Sequence, residues 1–76
     1  MGDLDRIRWQ CRRGMLELDL VLNRFVETEL ENLSPGQLGV FKAFLAENDT
    51  RLLAWVMEQE EPPAQYAALV RQLQQR

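Results

Sequence analysis

Apolar residues recur at helical spacing in five segments, separated by polar or conformationally special residues. Leu4, Ile7 and Cys11 fall three or four apart and define a short first helix, with Asp3 as its candidate N-cap. Leu18, Val21, Leu22, Phe25 and Val26 make a wide stripe running toward Leu30, the mark of a longer second helix. Leu38, Phe41, Phe44 and Leu45 define a third. Leu52, Leu53, Val56 and Met57 define a fourth, with Trp55 to one side of its stripe. Tyr66, Leu69, Val70 and Leu73 share one face of a fifth, spanning Ala64 to about Gln74. No segment reads as a strand.

The residues between these stripes carry stop and start signals. Gly14 marks a break or sharp bend, because glycine inside a helix costs about 1 kcal/mol relative to alanine. Ser34-Pro35-Gly36-Gln37 is the clearest helix start: Ser34 can accept from the Gln37 N–H, and the Gln37 side chain can reach back to Ser34. Pro35 then takes a position that loses no hydrogen bond. Asn48-Asp49-Thr50 supplies the next stop and cap, and Glu60-Glu61-Pro62-Pro63 ends the fourth helix, since a residue before proline is pushed out of the α region. The expected fold is all-α, a compact bundle of five short helices forming a single domain over residues 1–76.

At 76 residues the chain lies near the lower end of what one core supports, and its 46% apolar content suffices for that core. A disulfide framework cannot assist, because Cys11 is the only cysteine. A lone thiol fits a reducing compartment. No apolar run approaches the ~20 residues that cross a bilayer, so no transmembrane segment is expected, and the N-terminus lacks a signal peptide's apolar stretch. A cytoplasmic protein is the expectation. Net charge is −3 and unevenly spread: Arg6, Arg8, Arg12 and Arg13 outnumber Asp3 and Asp5 before residue 15, whereas ten acidic residues face five basic ones after it. The acidic body argues against a nucleic-acid partner, including a small DNA-binding module built on Arg8, Arg12 and Arg13.

Catalytic chemistry is nearly absent from the composition. Without histidine the commonest general base and metal ligand are missing, and one cysteine cannot form the usual zinc sites. Glu17 and Asp19 are two apart on a helix and diverge, and no glycine spacing matches a phosphate loop. The chain is expected to be neither an enzyme nor a metal protein. Cys11 reads as a small buried residue rather than a reactive thiol. Trp9 is open between partner anchor and partial burial, and Trp55 leans toward the core. Glu27, Glu29, Glu31, Glu58, Glu60 and Glu61 read as solvated faces. Of Met15 and Leu16, one is expected to point inward and one outward.

The distinctive stretch is Trp9-Gln10-Cys11-Arg12-Arg13-Gly14-Met15-Leu16-Glu17-Leu18-Asp19, where cationic side chains precede a glycine and anionic ones follow it. A regular helix would leave Arg13 and Glu17 as a weak i,i+4 pair. A bend at Gly14 would instead leave the Arg13 guanidinium free at a helix end, suited to a carboxylate or carbonyl contact. The glycine would also let a partner backbone approach closely. That pattern suits a docking surface.

The same run, with its Arg13-Gly14-x-x-Glu17 core, closely resembles the signature of the succinate dehydrogenase assembly factors, small flavinylation factors of bacteria with mitochondrial relatives. The resemblance continues through Phe25 and the acidic stretch after it, Leu33-Ser34, Phe41, Leu53-x-Trp55-x-Met57 and Leu69-Val70-Arg71-x-Leu73. Several members carry a histidine before the signature tryptophan where this chain has Arg8. The resemblance implies a five-helix protein that binds the flavoprotein subunit of succinate dehydrogenase, and often of fumarate reductase, and promotes covalent attachment of FAD to it. FAD would then belong to the partner, with none bound stably here. Arg13, Gly14 and Glu17 carry over as the functional surface, adjoined by Arg12 and Asp19, with Trp9 and Arg8 completing the candidate partner-binding set. An antitoxin-like regulator in a toxin–antitoxin pair, also described for that family, is the alternative implied.

Overall fold

Each expected helix forms, and each interruption has a local cause. The structure, a computed structural model, describes residues 2–74. It runs α1 (Asp3–Gln10), α2 (Leu16–Glu29), a 3-10 turn at Leu30–Asn32, α3 (Pro35–Leu45), α4 (Asp49–Val56) and α5 (Ala64–Gln74), with no strand among the described residues. The first cap falls one residue earlier than expected. Gly2 holds the extended N-cap backbone (φ −78°, ψ 165°), and Asp3 is already helical. Such one-residue offsets are ordinary at helix ends.

The capping signals further along hold. Ser34 Oγ accepts from the Gln37 backbone N–H at 3.1 Å, and the Ser34 N–H donates to Gln37 Oε1 at 2.9 Å. Two orphan donors at the start of α3 are thereby satisfied reciprocally. Asn48 Oδ1 accepts from the Thr50 N–H at 2.8 Å and starts α4.

The end of α4 differs from the sequence expectation. The helix stops at Val56, well before the prolines, because Glu58 turns left-handed with φ 61°. The Glu58 N–H donates to the Trp55 carbonyl at 3.3 Å and the Gln59 N–H to the Ala54 carbonyl at 2.8 Å. That pair is a Schellman termination, normally made at a glycine. Met57, expected in the buried stripe, sits at this terminus and is exposed. The carbonyls of Trp55 and Val56 also accept from Gln74 Nε2, at 3.2 and 3.3 Å, which ties the end of α5 to the end of α4.

Packing centres on α5, which lies against α2, α3 and α4, while α2 also meets α4. Leu18 and Leu22 from α2, Phe41 and Phe44 from α3, and Leu52 from α4 are fully buried between them. Phe44, Trp55 and Tyr66 form an aromatic cluster with centroids 5.4–6.0 Å apart, and Phe25 meets Phe41 at 5.2 Å. Spacings of this kind add to plain area burial. Trp55 is therefore core, and the Tyr66 hydroxyl leaves the cluster to donate to Glu47 Oε2 at 3.0 Å. The described residues measure 34 × 25 × 23 Å, and three of the large apolar side chains left exposed, Trp9, Leu16 and Leu20, lie on α1 and α2 either side of Gly14.

Candidate functional site

The end of α1 and the start of α2 meet at a four-residue turn, Arg12–Met15. The Cys11 and Arg12 N–H groups close α1 by donating to the carbonyls of Arg8 and Trp9, at 3.2 and 3.1 Å. Gly14 then takes φ 79°, a conformation that L side chains rarely adopt, and Met15 extends into the N-cap of α2. Met15 offers no side-chain cap to the first N–H groups of α2.

What stabilises the turn is Asp19, one helical turn into α2. Its Oδ1 accepts from the Arg13 N–H at 2.8 Å and its Oδ2 from the Gly14 N–H at 3.2 Å. A carboxylate there also faces the positive end of the α2 dipole. The Asp19 side chain is thus occupied by its own chain.

Arg13 corrects the sequence reading. Its guanidinium is not free: Nη1 donates to Asp49 Oδ1 at 3.0 Å and Nη2 donates to the Leu45 carbonyl. The side chain is only 17% exposed, and its Nε is buried without a partner. The cation sits where the C-terminal end of α3 and the N-terminal end of α4 meet, a position that the α3 dipole and the Asp49 charge favour and the positive end of the α4 dipole opposes. The i,i+4 pair with Glu17 does not form. Arg13 braces the bend from inside.

Cys11 lies directly beneath the turn and is fully buried. Burial pushes its thiol up to about 11, against the lowering effect of the Arg13 cation and with a smaller rise from the Asp19 charge. At neutral pH it remains a protonated packing group.

The outward face has a different composition. Glu17 is exposed in the first turn of α2. Leu16 is 76% exposed and Leu20, four residues on, 62%. Met15 points inward and packs on the core, so the pair Met15–Leu16 divides as expected. Trp9 is 69% exposed, with the Arg12 guanidinium over its ring at 5.5 Å from the centroid. That geometry is a cation–π contact. Arg8, Trp9 and Arg12 line one shallow groove with Asn23 and Glu27 of α2. Leu16, Leu20, Asn23 and Glu27 follow helical spacing, so Trp9 and the two leucines belong to one continuous face. Arg8 is held in solvent between Asp5 at 3.6 Å and Glu31 at 3.7 Å, exposed pairs worth little energetically.

Among the seven candidates, the structure brings Trp9, Arg12, Gly14 and Glu17 to the outward side, places Arg8 at its margin and turns Arg13 and Asp19 to structural bonds. Sequence reasoning missed Leu20, whose signal was an apolar residue off the buried stripe and four from Leu16. It also missed Asp49 and Leu45, which lie more than thirty positions from Arg13 and gave no local signal.

Fold and face together define a small histidine-free helical bundle whose distinctive surface is a glycine turn between a cationic helix end and an anionic helix start. Residues 5–76 match the family described as flavinator of succinate dehydrogenase, and the chain belongs to that family. It is 48% identical over 65 residues to an FAD assembly factor SdhE of Legionella pneumophila strain Lens, covering 86% of this chain and 82% of the relative. A protein of the same description from Coxiella burnetii is 37% identical over 71 residues, 92% of this chain and 87% of that one. No solved structure matches the chain.

Proposed function

We propose that this chain binds the flavoprotein subunit of succinate dehydrogenase through the face around Gly14 and promotes covalent attachment of FAD to that subunit. The observation that carries the reading is the composition of the face. Three of the four large hydrophobic side chains exposed among the described residues, Trp9, Leu16 and Leu20, lie there, beside an exposed carboxylate and a glycine turn, in a chain of the flavinator family. An exposed tryptophan and leucines rimmed by charge form the usual anatomy of a protein-binding patch.

In this reading the chain is not an enzyme. Covalent attachment needs the flavin ring, an acceptor side chain and charge-stabilising groups held in reactive geometry. The acceptor histidine belongs to the partner, since this chain has none, and FAD belongs there too. The contribution here is selective binding: the face binds more tightly to the flavoprotein conformer in which flavin and acceptor are aligned. Equal affinity for all conformers would shift nothing. Glu17 offers an exposed charged acceptor beside the apolar stripe, and Gly14 allows close backbone approach. The setting in this reading is the bacterial cytoplasm.

The test is co-expression with the flavoprotein subunits of succinate dehydrogenase and of fumarate reductase, scored by flavin fluorescence retained after denaturing electrophoresis. Covalent flavin is expected to rise with the wild-type chain and to fall with Glu17→Ala. Equal fluorescence with and without the chain would remove the reading, and the fumarate reductase arm decides whether that subunit is a second partner.

A further inference from the structure

Three features of the turn are not explained by contact with a partner. Asp19 points back onto the Arg13 and Gly14 N–H groups. Arg13, the first residue of the Arg-Gly-x-x-Glu run, points away from the outward face, and Asp49 holds it from the α3–α4 junction. Together these bonds fasten both the backbone and the side chain of one residue to opposite parts of the bundle.

We propose that Asp19 and Asp49 are positioning residues for partner binding, acting through Arg13 to hold the Gly14 turn in the conformation that presents Gly14, Leu16 and Glu17. The inference rests on the functional reading above and assigns Arg13 to the same support. Asp19 fixes the backbone path into Gly14. Asp49 and the Leu45 carbonyl anchor the guanidinium, so Arg13 links the turn to the start of α4. A turn held in its bound conformation before contact loses less ordering entropy on binding, so loosening it weakens affinity without removing any contact. The Asp49 and Leu45 part of this support lies more than thirty residues from Arg13 in sequence, so the surface depends on the assembled bundle and not on the α1–α2 segment alone.

The test uses the full chain and the purified flavoprotein subunit of succinate dehydrogenase, at a temperature where every variant is folded by circular dichroism. Binding is measured by calorimetry, and amide hydrogen exchange of Arg13 and Gly14 is measured in the free chain. Asp19→Ala is expected to speed both amides and to weaken binding, and Asp49→Ala to weaken binding, each by about tenfold. Asp49→Asn keeps an acceptor oxygen for Arg13 and should restore binding to within about threefold of wild type. Because Asp49 acts through Arg13, adding Asp49→Ala to Arg13→Met should weaken binding no further than Arg13→Met alone. Wild-type affinity in a folded Asp49→Ala chain, or additive effects in the double variant, would overturn the assignment of Asp49. Unchanged exchange in Asp19→Ala would overturn that of Asp19. If the wild-type chain fails to bind the flavoprotein, the functional reading falls and takes the binding role with it. The exchange rates of the free chain distinguish that failure from a failure of the positioning bonds.

Discussion

Among the described residues two adopt left-handed backbone, and they make opposite choices of side chain. Gly14 has φ 79° and Glu58 has φ 61°. Left-handed backbone costs an L residue about 1–2 kcal/mol, partly offset by the extra unfolded-state entropy that a glycine loses. Glu58→Gly is therefore expected to stabilise the protein by about 0.5–1 kcal/mol, raising Tm by several degrees in a domain of this size. Thermal melting checks it, and an unchanged or lowered Tm would show that the Glu58 side chain makes a compensating contribution. At Gly14 the sign reverses. A Cβ there meets nothing within 4 Å, so Gly14→Ala carries only the backbone penalty, a loss of about 1 kcal/mol. A variant that melts like wild type would contradict the strain argument. If partner affinity falls more than this small stability loss, the bare backbone itself is part of the contact.

The elements were legible to the degree that their signals were local. Helices α2, α3 and α5 appear where the apolar periodicity places them, and the Ser34–Gln37 box at the start of α3 forms as its spacing implies. Ser34→Ala is expected to cost about 1 kcal/mol through loss of that cap. Because α3 starts far from the turn, the same variant should leave Arg13 and Gly14 amide exchange unchanged. Faster exchange at those amides would mean that the turn senses the far end of α3. The end of α4 was not legible, since a glutamate at a left-handed C-terminal position has no sequence signature and the prolines beyond it gave a plausible but later stop. The site divides in the same way. The glycine turn, the outward Glu17 and the split between Met15 and Leu16 follow from local pattern, whereas the inward course of Arg13 depends on Asp49 and Leu45, which only the folded chain brings near.

At the scale of the whole molecule, two weakly acidic groups, Cys11 and Tyr66, lie inside the apolar core, and both bear on stability at alkaline pH. Cys11 has its thiol raised from 9.0 to about 11, chiefly by burial. Tyr66 is raised above 10.0, by burial first and by its hydrogen bond to Glu47 second. For both, the folded state retains a proton that the unfolded chain releases sooner. Their contribution to stability is complete below the unfolded values and is lost as pH rises toward and through the folded ones. The expectation is a flat profile through neutrality and a decline beginning near pH 9. The Cys11 part amounts to roughly 2–3 kcal/mol by pH 11, a large share of the 5–15 kcal/mol typical of a small domain. Urea unfolding between pH 7 and 11 measures it. Cys11→Ala lowers stability at every pH by leaving a cavity, but it should flatten the alkaline decline, and Tyr66→Phe should flatten what remains above pH 10. A decline of equal steepness in both variants would place the alkaline sensitivity outside these two core groups.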